Sequence, residues 1–242
     1  MKEYKYILFD LDGTVTDPGL GITGSVMYAL KGFGIEETDR TKLYRFIGPP
    51  LAESFRDFYG FTPEEARRGI SLYREYYKHR GIFENKVYDG MEELLAELKR
   101  RGKTLVLATS KPEPFAREIL DHFHLTSYFT YAAGATLDET RVKKEEVIAY
   151  AMESCGITDP GQVLMVGDRR HDIEGARANG VDSLGVLYGY GSREELLQAG
   201  ADYLAEKGRR YSENRKIKGT EKKMHGRNLG GISSAEGASF SI

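Results

Sequence analysis

Asp10 and Asp12 stand two residues apart, followed by Gly13 and the Thr14 hydroxyl and preceded by the apolar run Tyr6-Ile7-Leu8-Phe9. An Asp-x-Asp pair can hold a hard divalent cation through oxygen and still leave a carboxylate oxygen free to react. Three more polar groups lie downstream: Thr109-Ser110, the pair Lys143-Lys144, and Asp168 with Asp172. Each has an ordinary reading by itself. Asp-Gly closes hairpins, Thr-Ser before a proline caps helices, Gly167-Asp168 suits a turn, and paired lysines are usually a solvated face. Taken together and in this order, three of them at the ends of apolar runs, they point to chemistry on a dianion. Phosphoryl transfer needs an in-line nucleophile, positive charge at the equatorial oxygens and a proton for the leaving oxygen. Asp10 and Asp168 suit Mg²⁺, which favours octahedral oxygen sites. A lysine ammonium adds a point charge, and the Thr109 hydroxyl with nearby amides can donate to phosphate oxygens.

These groups need elements that bring them together. Four apolar residues with no polar alternation predict a strand over 6–9 that is buried on both faces, and 104–108 and 163–166 read the same way. In an open parallel sheet, ligands bind beyond the carboxyl ends of the strands, where strand order reverses, so acids from distant segments can converge there. From residue 87 onward helix and strand alternate. Met91, Leu94, Leu95 and Leu98 fall at helical spacing, with Lys99-Arg100-Arg101 and Gly102 closing the helix. Further helices are predicted around 115–123, 147–151 and 173–179, with strands at 128–133 and 183–187. Ser192 and Glu195 form a capping-box pattern, and 201–205 reads as a last strand. The alternation predicts an α/β fold, a parallel sheet with helices on both faces. Residues 18–87 read as helix throughout. Ile22, Val26, Leu30 and Phe33 form one stripe, 51–59 a second helix, and Thr62-Pro63-Glu64-Glu65 a clear helix start. An all-helical insert after the first strand predicts a separate small bundle.

Composition narrows the class. At 242 residues and 40% hydrophobic the chain can build a sizeable core, and no apolar run approaches the roughly 18 residues of a membrane span. The start of the chain shows no apolar signal segment, so a soluble cytoplasmic protein is expected. Cys155 is the single cysteine, which excludes an internal disulfide, and it falls in an apolar helical pattern as a packing residue. The formal charge of −2 divides unevenly. Residues 207–242 carry nine Lys/Arg and three Glu, which leaves −8 on residues 1–206. An acidic folded part argues against a nucleic-acid-binding core, and 207–242 reads as a basic, disordered tail.

The set Asp10-x-Asp12-Gly13-Thr14, Thr109, Lys144 and Gly167-Asp168-x-x-x-Asp172 resembles the four motifs of the haloacid dehalogenase superfamily, nearest its phosphoglycolate phosphatase-like branch. The resemblance spans about residues 4–206. It implies a Rossmann-like three-layer core from 1–17 and 88–206, with 18–87 as a mobile helical cap. By the same resemblance Asp10 is nucleophile and Mg²⁺ ligand, and Asp12 is general acid/base, also offering its backbone carbonyl to the metal. Thr109 with Ser110, and Lys144, hold the phosphate. Lys143 is the alternative to Lys144, whose spacing into Glu145-Glu146-Val147-Ile148 fits the family better. Asp168 ligates Mg²⁺, Asp172 binds metal waters or orients the site, and Arg45 and Gly48 are lid contacts.

The implied substrate is a small phosphorylated metabolite, phosphoglycolate-like or a nucleoside 5′-monophosphate. No nucleic-acid or membrane partner is expected, and the chain would be a monomer or homodimer. A sugar phosphomutase or other phosphotransferase uses the same motifs. A dehalogenase lacks the second acid of the first motif, and a phosphonatase needs a cap lysine, for which Lys31, Lys42, Lys78 and Lys86 are available. A catalytically silent binding module would be favoured by a missing acid, and none is missing. Family members usually end in a strand and a short amphipathic helix, whereas here 201–205 leads straight into the basic segment.

Overall fold

The computed structural model describes residues 2–138 and 140–206; the reading of 207–242 as a disordered tail lies outside them. Strand β1 (Tyr6–Phe9) is the centre of a six-stranded, all-parallel sheet. On one side lie β4 (Thr104–Pro112) and β5 (Tyr131–Ala135), and on the other β6 (Val163–Gly167), β7 (Asp182–Val186) and β8 (Tyr203–Ala205). Leu8 sits opposite Val106 on one neighbour and Met165 on the other. The chain thus builds outward from β1 in one direction and then the other, and the reversal falls at the end of β1, where Asp10 emerges.

The unbroken apolar runs are explained by burial on both faces. Ile7 and Phe9 enter the core beneath α4 (Met91–Arg100) and α5 (Glu113–His122), with Leu95, Leu98 and Ile119. Leu8, Val106 and Met165 enter the opposite core with Val147 and Ile148 of α6 (Lys144–Ser154) and Ala176 of α7 (Arg170–Ala178). Each fully buried leucine contributes about 1.5–3 kcal/mol relative to exposure. Cys155 packs, half-buried, against this second core. The last helix, α8 (Arg193–Ala199), buries Leu196 beside Leu204 of β8. No helix among the described residues is long and apolar enough to cross a membrane.

Between β1 and β4 lie α1 (Gly19–Lys31), a 3₁₀ turn (Arg40–Phe46), α2 (Leu51–Tyr59), α3 (Pro63–Tyr76) and a π turn (Tyr77–Gly81). The α3 start is a full capping box: Thr62 Oγ1 accepts from Glu65 N, and the Glu65 carboxylate accepts from Thr62 N at 2.8 Å. Two features differ from the sequence expectation of an isolated, purely helical bundle. Thr16–Asp17 and Lys86–Val87 form an antiparallel ribbon, β2 and β3, where the chain leaves and rejoins the sheet. Two-residue strands are too short to leave a periodic signature. The apolar interior of the helices is also continuous with that of the sheet, since Leu30, Phe46 and Phe55 belong to the same cluster as Phe9.

Smaller differences have local causes. The strand expected at 128–133 starts later, because a 3₁₀ turn occupies Thr126–Tyr128. At α8 only half of the expected capping box forms. Ser192 Oγ accepts from Glu195 N at 3.0 Å, but the Glu195 carboxylate turns to Arg169 Nε and Arg170 N, each at 2.9 Å.

Candidate active site

The β1 ladder runs one residue past the strand, Asp10 N donating to Val166 O at 2.9 Å, and the chain then turns through Leu11 to Thr16. Gly13 permits that turn at φ +82°, where a Cβ would lie 2.2 Å from Asp168 Oδ2. The first motif can therefore press against the end of β6. Asp168 is fully buried; its Oδ2 accepts from Tyr190 N at 2.7 Å. Asp172, one turn into α7, accepts from Arg169 N at 3.0 Å. Carboxylate oxygens of Asp10, Asp168 and Asp172 all lie within 4.8 Å of one another.

One cation enters this group. Lys144, the first residue of α6, places Nζ 2.8 Å from Asp10 Oδ1 and 2.7 Å from Asp172 Oδ1, and donates to Ala108 O at 3.2 Å. Lys143 is exposed, so burial separates the two neighbouring lysines. Burial alone would lower the Lys144 pKa, but the two carboxylates outweigh it and hold the ammonium above its ordinary value. Burial, with repulsion from Asp172 and Asp10, pushes Asp168 well above the usual carboxylate range, and burial carries Asp172 up to about 6. Three buried carboxylates face one ammonium, so the cluster is short of positive charge. Hard oxygen donors in a buried, electron-rich cluster are the set that suits Mg²⁺, and the residues present fit that ion.

Asp12 has a different environment. Its carboxylate stands apart from the three-acid cluster, with Oδ2 2.7 Å from Lys111 Nζ and Oδ1 buried without a hydrogen-bond partner. Burial raises its pKa, and Lys111 opposes the rise. Lys111 Nζ also donates to the Tyr77 hydroxyl at 2.6 Å, which joins the sheet to the π turn of the helical insert. The sequence reading gave Lys111 no role. In β4 the register slips, so that Ala108 to Pro112 oppose only Ala133 to Ala135 of β5. A bulge of this kind re-aims side chains, and Lys111 lies within it and faces Asp12. Regular strand alternation does not reveal it.

Thr109 is buried and its Oγ1 accepts from Lys111 N at 3.2 Å, leaving the hydroxyl hydrogen to donate. Thr109, Ser110 and Lys111 line a cavity of about 190 Å³ together with Asp10 and Asp12. Its roof comes from the insert, with Gly48 to Leu51, Tyr73 and Tyr77. Gly48 is therefore at the cavity, whereas Arg45 is not among its lining residues; the Arg45 guanidinium is exposed and stacks 4.3 Å over the Phe58 ring. None of Lys31, Lys42, Lys78 and Lys86 lines the cavity, so the Schiff-base lysine a phosphonatase requires is not supplied there from the insert.

The doubly wound parallel sheet thus brings the acids that follow β1 and β6 and a buried lysine together at its carboxyl edge, the architecture of an α/β protein with its site at the strand-order reversal. Residues 7–186 match the family described as Haloacid dehalogenase-like hydrolase, and the chain belongs to that family. It is 50% identical over 193 residues to the 5′-nucleotidase of Pseudomonas aeruginosa, covering 80% of this chain and 87% of that protein. It is 41% identical over 185 residues to the tyrosine-protein kinase PtkA of Mycobacterium tuberculosis, covering 76% of this chain but only 62% of that protein. Proteins named phosphoglycolate phosphatase match at lower identity. Among solved structures, a predicted phosphatase from Clostridium acetobutylicum superposes with a TM-score of 0.82 at 51% identity, covering 84% of this chain and 93% of that one.

Proposed function

We propose that this protein is a Mg²⁺-dependent phosphatase acting on a small phosphomonoester through an aspartyl-phosphate. The observation that carries the reading is the convergence of Asp10, Asp168 and Asp172 on one oxygen-lined position beside Lys144. An Asp10 oxygen attacks phosphorus and the bond to the leaving oxygen breaks, while protonated Asp12 gives its proton to the departing alkoxide. Asp12 then takes a proton from water, which attacks the same phosphorus and frees Asp10 and inorganic phosphate. Thr109, Ser110 and Lys144 hold the phosphate oxygens. Asp10, Asp168, Asp172 and the Asp12 carbonyl would hold Mg²⁺, which supplies charge neutralisation between anionic nucleophile and anionic substrate. Residues 18–87 act as a cap that excludes bulk water during the first transfer.

The substrate we favour is a nucleoside 5′-monophosphate. Phe46, Tyr73, Tyr77 and Phe115 among the lining residues offer aromatic surface suited to a flat base, and the relative at 50% identity is named for that activity. The relative named as a kinase supports a second reading, in which the phosphoryl group passes to an acceptor hydroxyl instead of water. Phosphate release from a panel of nucleoside 5′-monophosphates, phosphoglycolate and p-nitrophenyl phosphate tests both. Release that needs Mg²⁺ and stops with a chelator is expected. A phosphorylated enzyme that discharges only to an added acceptor would move the assignment to transfer.

A further inference from the structure

Arg169 sits between the two acids of the last motif, and the reaction above gives it no task. Its main-chain N–H donates to Asp172 Oδ2 at 3.0 Å. Its side chain leaves the sheet edge and crosses to the helical insert, where Nη1 donates to the carbonyl of Ile47. Nε donates to Glu195 Oε1 at 2.9 Å, an oxygen that also accepts from Arg170 N. The guanidinium is therefore aimed by a carboxylate that is itself tied down, which accounts for the half-formed capping box of α8. Only 13% of the Arg169 side chain is exposed, and Ile47 is fully buried. The next residue, Gly48, has φ +104°, and a Cβ there would lie 2.8 Å from Arg169 Cγ. The turn and the arginine stem thus meet at a separation that glycine alone allows. Gly48, Pro49, Pro50 and Leu51 continue from this contact as part of the roof over Asp10 and Asp12.

We infer that Arg169 is a positioning residue that clamps the Ile47–Gly48 turn of the insert onto the loop bearing Asp168 and Asp172, seating the roof of the cavity. The inference rests on the reading of 18–87 as a cap over a phosphatase site. The roof and the acid-bearing loop come from segments more than a hundred residues apart, and Arg169 joins them in a single side chain. A charge-assisted hydrogen bond shielded from water shifts an opening equilibrium by roughly ten- to a hundredfold. Breaking it should release the roof without disturbing the acids.

Hydrogen–deuterium exchange on the full chain tests this, with Arg169→Met, which keeps the stem and removes the donors. Peptides spanning 43–55 should exchange about tenfold faster, while peptides spanning 163–168 are unchanged. For the favoured nucleotide substrate, KM should rise about tenfold with kcat altered much less, and half-saturating Mg²⁺ should stay as in the wild type. Glu195→Gln, which leaves the arginine in place, should move exchange the same way by a smaller factor, and the double variant should be no worse than Arg169→Met. Unchanged exchange over 43–55 in both single variants would overturn the clamp. So would a loss confined to kcat and Mg²⁺ half-saturation, since that would place the arginine's role in the metal loop alone. An inactive wild-type protein would instead sink the phosphatase reading, and the exchange comparison would still decide the clamp.

Discussion

Lys111 Nζ lies 2.7 Å from Asp12 Oδ2, so the second acid of the first motif is paired with a cation from the end of β4. Both side chains are nearly buried, at 5% and 11% exposure. Two opposed effects therefore act on one carboxyl: burial raises its pKa, and the ammonium pulls it down. The balance is suited to a group that must give a proton in one step and accept one in the next.

Replacing Lys111 with Met should remove the main opposition to burial at Asp12. The Asp12 pKa then climbs further, and both limbs of the pH–rate profile move to higher pH. Profiles of kcat for the two proteins check this. An unmoved profile would show that Lys111 does not set the protonation of Asp12.

Asp10→Asn should abolish phosphate release and any acid-stable trace of phosphoenzyme, because the attacking oxygen is gone. Asp12→Asn should lower kcat by about 10²–10⁴-fold while leaving substrate binding largely intact. Single-turnover assays separate the two. Activity retained in the first variant would refute covalent attack by Asp10.

Mg²⁺ should stabilise the protein more at pH 7.5 than at pH 5. In the metal-free protein the Asp172 pKa is raised to about 6, and that of Asp168 stands well above the usual range. The folded state therefore binds more protons than the unfolded state above the unfolded carboxylate pKa of about 4. From Asp172, stability without metal falls as pH rises through about 4 to 6, by an order of 3 kcal/mol. Mg²⁺ needs the deprotonated acids, so its effect grows over the same range. At a concentration 100 times its Kd it should add about 2.7 kcal/mol at the higher pH. Thermal melts with and without chelator at the two pH values measure the difference; equal shifts would refute binding at this cluster.

Lys144→Met should destabilise the fold by about 3–5 kcal/mol, the cost of leaving buried charges without their partner. Asp10 and Asp172 both lose the ammonium that stands within 2.8 Å of them. Urea denaturation quantifies the loss, and added Mg²⁺ should recover part of it. By contrast, Lys143→Met, at an exposed position, should stay within about 0.5 kcal/mol of the wild type.

The elements were legible where a periodic signal was long enough. The predicted helix over 51–59 and the strand over 163–166 agree with α2 and β6 within a residue. The Thr62 start was readable because capping chemistry is local, each partner lying within three residues of the other. The β2–β3 ribbon and the β4 bulge were not readable. One is too short for a period, and the other is an interruption of a period that the apolar pattern alone cannot register.

Residue order by itself established which strands are buried on both faces, that acids follow two of them, and that helices fill the gap between the first two strands of the parallel sheet. Those are properties of neighbours along the chain, where hydrophobic spacing and backbone stereochemistry act directly. The pairing of Lys111 with Asp12, the placing of Lys144 between Asp10 and Asp172, and the reach of Arg169 to Ile47 were decided only in three dimensions. Each depends on where a side chain ends after distant segments have packed, and electrostatic partners are chosen by that distance and by burial, neither of which spacing along the chain encodes.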